Sequence, residues 1–360
     1  MELDRIAGKV DRGERLARED ALALYRTPDL YALAELADGA NQRLHGLRVS
    51  FNVNRHLNPT NLCINHGACR FCSFSAGLDD PEGYTMTREE ILAATADLEH
   101  AGATEVHVVG GLHPRKDYDW YLGIVRDLRT AHPRVHIKAW TAVEIDHFTR
   151  LTGRSAASVL AELREAGLGS LPGGGAEIFA EDVRAELCRT KAFGDRWLEI
   201  HAAAHGLGIP SNATMLYGHI ETLEHRVDHM ARLRDLQDRT RGFQAFIPLA
   251  YHPAHNPLPV ETPTTGLDDL RTLAVARLFL DNFRHVKTYW IMVGEKLSQV
   301  ALHFGANDID GTVVRERITH EAGATTPEHL PQEELVRLIR RAGRVPVERN
   351  TLYEELRTWA

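Results

Sequence analysis

The sequence predicts an α/β fold, a TIM-type (β/α) barrel with a helical extension before it and additions after it. Three observations carry that prediction. Short β-leaning segments alternate with helical stretches of ordinary length, the rhythm of βα repeats on a parallel sheet. About eight such units fit into roughly 270 residues, which suits a closed barrel better than an open doubly wound sheet. Neither Gly110-Gly111 nor Gly173-Gly174-Gly175 completes a G-x-G-x-x-G fingerprint, so a dinucleotide-binding fold loses its main support.

The elements follow in order. Residues 1–46 read as an N-terminal extension of amphipathic helices, with Leu22, Tyr25, Leu30, Leu33, Leu36 and Ala37 recurring every three or four positions. Strands are expected at 49–54, 105–109, 136–142, 168–171, 211–215, 245–249 and 286–290, with a short one near 306–308. Helices are expected at 88–101, 118–131, 156–166, 194–206, 222–239, 266–281 and 295–302. No low-complexity linker divides the chain, so residues 47–325 form the barrel and 326–360 a C-terminal helical segment packed on it. Such barrels place their chemistry at the C-terminal ends of the strands, and functional residues are sought there.

Composition narrows the class. Hydrophobic residues make up 43%, enough to bury a sizeable core. A net charge of −8 with no block of like charges leaves no basic footprint for nucleic acid. The start, MELDRIAGKVDRGERLARED, has no apolar segment of the signal-peptide kind, and no run of apolar residues is long enough for a membrane span. Of four cysteines, three lie between Cys63 and Cys72, which argues against a disulfide framework and for a reducing cytoplasm.

The segment NPTNLCINHGACRFCSF gives C-x5-C-x2-C at Cys63, Cys69 and Cys72, in the loop after the first barrel strand. Thiolates spaced in this way bind iron–sulfur clusters or zinc. A cluster on three cysteines leaves one iron open to a small molecule, whereas structural sites take four protein ligands. The zinc alternative uses His66, which completes C-x2-H-x2-C-x2-C, and with it comes a different class of function, a zinc-stabilised binding protein without catalysis. A place at the mouth of a barrel favours the cluster. Cys188 stands over a hundred residues away and reads as a small buried residue. His201 and His205 are spaced i, i+4 but lack the glutamate of H-E-x-x-H, so they read as surface residues.

A cysteine triplet after the first strand of a barrel, with Phe71 before the last cysteine, resembles the radical S-adenosylmethionine (SAM) superfamily. The phrases HLNPTNLC, GYTMTREEI, VVGGLHP, HIKAWTAVEIDH, SLPGGGAEIF, RWLEIH, NATMLYGHIE, GFQAFIPLAYHP and GANDIDGT, in this order, resemble the aminofutalosine synthase family of the futalosine route to menaquinone. The resemblance runs from about residue 45 to 325. In one respect the chain departs from it. The family spaces its cysteines C-x3-C-x2-C, and here two further residues lie between Cys63 and Cys69, a bulge that Gly67 would ease through positive φ.

The resemblance implies a 4Fe–4S cluster on Cys63, Cys69 and Cys72 whose open iron chelates the amino and carboxylate groups of SAM. Reductive cleavage of SAM then yields a 5′-deoxyadenosyl radical, which adds to the enol-ether double bond of 3-[(1-carboxyvinyl)oxy]benzoate. The aryl group migrates from oxygen to carbon, a carboxyl group leaves, and aminodeoxyfutalosine results. Relatives that cyclise dehypoxanthine futalosine or assist deazaflavin synthesis share the GANDIDGT-like phrase and supply the alternative reaction. Contacts to SAM are expected from Gly110 and Gly111 (close backbone approach), Phe71 (adenine) and Ser73. Glu144 at the end of the third strand, Glu177 after the triple glycine, Ser170 and Asn212 are the remaining candidates. The two substrate carboxylates call for donors near the fifth to eighth strands, where His219, His252 and Arg315 stand, with Tyr251 and Trp290 to stack on the ring. Asp308 and Asp310 read as turn caps. A low-potential flavodoxin or ferredoxin is the implied electron donor.

Overall fold

The computed structural model describes residues 2–314 and 316–359. The barrel begins with a broken strand: β1 (Arg48–Phe51) and β2 (Asn54–Leu57) run in one line, interrupted at Asn52 and Val53. From β2 the ladder is parallel through β3 (Glu105–Val108), β4 (His136–Ala139) and β5 (Leu168–Ser170). A second parallel run joins β6 (Ser211–Tyr217), β7 (Phe243–Ala250), β8 (His285–Thr288) and the two-residue β9 (Asp308–Ile309), which returns to β1. The hydrogen-bonded ring does not close as a continuous ladder. Single parallel bridges carry the two seams, Leu171 with Ser211 on one side and Arg55 with Val314 on the other.

Between the strands, local chemistry starts and stops the helices. Thr87 and Glu90 form a capping box on Arg88–Thr95, and Asp117 and Ser155 cap Tyr118–Ala131 and Ala156–Ala166. Gly153 and Gly167 end their helices in the left-handed conformation. The helix Gly266–Phe279 is buried on nearly every face because the N-terminal helices Arg18–Arg26 and Leu30–His45 pack over it. That contact turns the apolar stripe of the N-terminal extension into part of one continuous core.

Several segments differ from the expected elements, among them the unexpected helix Glu181–Leu187. Ala142 and Glu144, expected at the end of the third strand, belong instead to the helix Ala142–Thr152, whose capping box is Thr141 and Glu144. The C-terminal segment is helical only over Gln332–Arg341. It continues as β10 (Val345–Arg349), parallel to β1, and β11 (Glu355–Thr358), antiparallel to β10. Among the described residues no helix is long and apolar enough to cross a membrane.

Candidate active site

A cavity of about 310 Å³ opens at the C-terminal ends of the strands and continues into the barrel. Cys63, Cys69 and Cys72 line it together, and all are free thiols. Their loop is fixed by its backbone. Cys63 N–H donates to Ala76 O, Ile64 N–H to Leu112 O, Cys69 N–H to Asn65 O and Cys72 N–H to Cys69 O. The additional residues turn through Gly67 at φ 74°, as the sequence predicts. His66 is exposed and sets its Nδ1 2.7 Å from the Ser75 carbonyl, away from the thiols, and it does not line the cavity. The four-ligand zinc set is therefore not assembled.

Burial raises the Cys63 thiol above its ordinary range and pushes Cys69 up to about 12. Among the described residues no three His, Cys, Asp or Glu side chains converge on one metal position. The donor chemistry nevertheless fits an iron–sulfur cluster: three soft sulfur donors on one loop lining one cavity. Cys188 is buried, as expected, in the small apolar cluster that also contains Cys69.

The glycines after β3 have a different reason for being glycine than the expected contact with a ligand. A Cβ on Gly110 would lie 2.9 Å from Thr60 O, and one on Gly111 would overlap the Leu62 carbonyl. Both positions are kept bare by the cysteine loop, which crosses directly over them. Gly110 N–H donates to Glu144 Oε1 at 3.1 Å, and Thr141 N–H donates to Glu144 Oε2 at 2.6 Å. Glu144 thus lies in the first turn of a helix, not at a strand end, and clamps the glycine loop to that helix. Burial pushes its carboxyl up to about 7. Groups shifted in this way collect at functional sites.

Across the mouth, Glu177 is held at φ 45° beyond the triple glycine and accepts from Lys191 Nζ at 2.8 Å. Lys191 lies over the Phe71 ring, 4.5 Å from its centroid. Asn212 lines the same wall with its Oδ1 buried and unpartnered. The cavity thereby brings together the three cysteines, Phe71, Gly110, Gly111, Glu144, Glu177 and Asn212.

The other candidates among the described residues do not line it. Ser73 Oγ sits 2.6 Å from His255 O and from Asn256 Oδ1, and buried Ser170 Oγ meets His136 Nε2 at 2.8 Å. The substrate-side candidates spend their polar atoms on backbone carbonyls: His219 on Leu216, Tyr251 on Leu258, His252 on Met292 and fully buried Trp290 on Gly311. None of these four lines the cavity. Arg315 lies outside the described residues. Asp308 is no turn cap, being fully buried under Arg349, Lys287 and Tyr353. Asp310 pairs with Lys287 at 2.8 Å and does line the cavity. His201 is fully buried and His205 half-buried, and both rings bond Ser211 Oγ, so His201 is no surface residue.

Sequence reasoning missed the cavity floor. Asn54, His56, Glu105, His107, Lys138 and Lys287 project from β2, β3, β4 and β8 into the barrel. A signal was present. Central parallel strands read as near-continuous apolar runs, yet these carry polar residues at every second position, as in Asn54 and His56 or Glu105 and His107.

Comparison with known proteins is consistent with this geometry. The Radical SAM superfamily model matches residues 57–233, and the CofH/MqnC C-terminal region model matches 240–360. Aminodeoxyfutalosine synthase of Thermus thermophilus is 49% identical over 98% of this chain and 96% of that protein. The synthase of Streptomyces coelicolor is 47% identical over 98% and 93%. A 5-amino-6-(D-ribitylamino)uracil–L-tyrosine 4-hydroxyphenyl transferase of Methanopyrus kandleri is 41% identical over 98% and 95%. Among solved structures, the hydrogenase maturase HydG of Carboxydothermus hydrogenoformans superposes with a TM-score of 0.74 at 17% identity, over 98% of this chain and 80% of that one. Methylornithine synthase gives 0.71 at 17% identity, over 94% and 95%. The structural likeness supports the barrel and the sequence relatives settle the kinship: the chain belongs to the radical SAM superfamily and, within it, to the family of the aminodeoxyfutalosine synthases.

Proposed function

We propose that this chain is an aminodeoxyfutalosine synthase, joining the 5′-deoxyadenosyl group of SAM to 3-[(1-carboxyvinyl)oxy]benzoate with aryl migration and loss of a carboxyl group. The observation that carries the reading is one cavity holding three free thiols at its mouth and a buried polar floor, in a chain nearly half identical to such synthases along its whole length. Family membership implies a 4Fe–4S cluster and SAM. In this reading Cys63, Cys69 and Cys72 hold the cluster, which when bound supplies the electron that cleaves SAM.

The remaining roles belong to the chain's own side chains. Glu144, buried and already clamped to Gly110 N–H, presents a carboxyl to the SAM amino group or ribose. Glu177 and Lys191 offer a fixed ion pair on the opposite wall, and Phe71, beneath Lys191, gives the adenine a flat surface. Asn212 Oδ1, which has no donor among the described residues, is free to accept from a ligand. Val109, Leu112, Ile247 and Leu249 make the cavity wall apolar beside these groups, which keeps water from a radical. The free thiols suit a reducing cytoplasm, with a low-potential flavodoxin or ferredoxin as electron donor.

The test is anaerobic incubation of the reconstituted protein with SAM, a reductant and the enol-ether benzoate, followed by mass spectrometry. Aminodeoxyfutalosine is the expected product. Formation of 5′-deoxyadenosine alone would reject the substrate, and L-tyrosine consumed with the ribitylaminouracil would move the chain to the activity named for its archaeal relative.

A further inference from the structure

The floor of the cavity has a feature that folding alone does not account for. His56 on β2, His107 on β3 and Lys138 on β4 are register neighbours, so their side chains project side by side from three adjacent strands into the barrel. The two imidazoles touch, with ring centroids 4.7 Å apart at 62°. Their Nε2 atoms are buried and have no hydrogen-bond partner among the described residues. Burial holds both rings below their ordinary range and hence neutral, each with one N–H and one lone pair. Lys138 beside them pairs with Glu105 at 2.7 Å.

Barrels of this type normally fill such a layer with Val, Ile and Leu. Two touching, unsatisfied imidazoles in that place are unfavourable in the empty barrel. The cost is offset where a ligand brings oxygen atoms to them. Above this layer the walls are apolar, with Val109 and Ile247 among the lining residues, and the cysteine loop lies at the far, open end.

We propose that His56, His107 and Lys138 form the subsite for the carboxylate on the substrate's aromatic ring, at the end away from the cysteines, and so select carboxylated aryl ethers. This rests on the reading of the reaction given above. The neutral imidazole N–H groups and the Lys138 ammonium supply donors to the carboxylate. The enol-ether carbon that must meet the adenosyl group is left pointing at the mouth. His56 and His107 are thereby specificity residues for a group that does not react.

The experiment compares 3-[(1-carboxyvinyl)oxy]benzoate with the phenyl ether that lacks the ring carboxylate, using the reconstituted holoenzyme and reading the ratio of their kcat/KM values. Losing one charge-assisted contact corresponds to about a 10–100-fold preference, and the unsubstituted protein is expected to show at least that. In His56→Leu and His107→Leu the ratio is expected to fall about tenfold or more, carried mainly by KM of the carboxylated ether. His107→Gln, which keeps a donor in similar volume, is expected to restore part of it and serves where the leucine variants do not fold. An unchanged ratio in the variants, however far both rates drop, would overturn the proposal, as would no preference in the unsubstituted protein. Failure of that protein to form an adenosyl adduct from either ether would instead sink the proposed reaction, and this subsite with it.

Discussion

Gly111→Ala separates the two explanations for the glycine pair after β3. If Gly111 serves chiefly to let the cysteine loop pass, a methyl group there acts on the loop before any ligand is bound. The added Cβ would overlap the Leu62 carbonyl oxygen and lie 2.7 Å from Leu62 C and 3.0 Å from Asn61 C. Ordinary carbon contacts are about 3.5–4.0 Å, so the backbone leading into Cys63 must withdraw by about 1 Å. Strain of that size costs about 1–3 kcal/mol, or about 1–4 °C in melting temperature for a chain of this length. Metal-ligand geometry tolerates only about 0.2 Å, so cluster retention should suffer far more than folding, by roughly 10–100-fold. The assay is iron and sulfide per chain after anaerobic reconstitution, beside a thermal melt. Gly123→Ala is the control: no atom lies within 4 Å of its added Cβ, and in the middle of a helix it should stabilise by about 0.5–1 kcal/mol and keep full iron. Wild-type iron, turnover and melting in Gly111→Ala would refute the steric account.

Alanine at Cys63, Cys69 or Cys72 should abolish iron binding and SAM cleavage, while His66→Ala keeps both, because that imidazole is engaged with Ser75; iron loss in His66→Ala would restore it as a ligand. Glu144 holds a proton in the folded chain that the unfolded chain, with an ordinary value of 4.5, has already released. Folding stability from this group therefore declines as pH rises from about 4.5 to 7, by an amount on the order of 3 kcal/mol. Glu144→Gln should remove that slope, and urea midpoints with equal pH dependence in both proteins would contradict the assignment. Asp308→Ala leaves Arg349 buried without its partner and should cost about 3–5 kcal/mol, read from urea unfolding; a loss below about 1 kcal/mol would show that the pair carries no weight.

The alternation of strands and helices was legible because each βα unit has its own hydrophobic period and its own caps. Tyr118–Ala131, Ala156–Ala166 and Gly194–Gly206 fall where the pattern puts them. The helix Ala142–Thr152 was written in the sequence as the capping-box spacing of Thr141 and Glu144, but it sits so close behind β4 that the preceding apolar run masks it. β10 and β11 are short, one holds a proline, and their place is set by β1, some 300 residues earlier, which no local pattern encodes. The site was legible in part for a similar reason. Position after a strand identified the loop in which a residue lies, and the cysteines and Glu144 did reach the cavity. It did not indicate which way a side chain turns, and His219, Tyr251, His252 and Trp290 turn to nearby carbonyls instead.

The broken first strand has a consequence for how the chain is made. Its second half pairs with β3, about fifty residues downstream, and is available early in synthesis. Its first half remains unpaired until β9 and β10 emerge, nearly three hundred residues later. Contacts that distant in sequence form late and slowly. A nascent chain thus carries a half-finished first strand until β9 and β10 have emerged, and β10 is the segment that caps its open edge. Loss of β10 would leave that edge of β1 bare, a template for association between chains. β10 therefore shields the first strand from pairing with another chain.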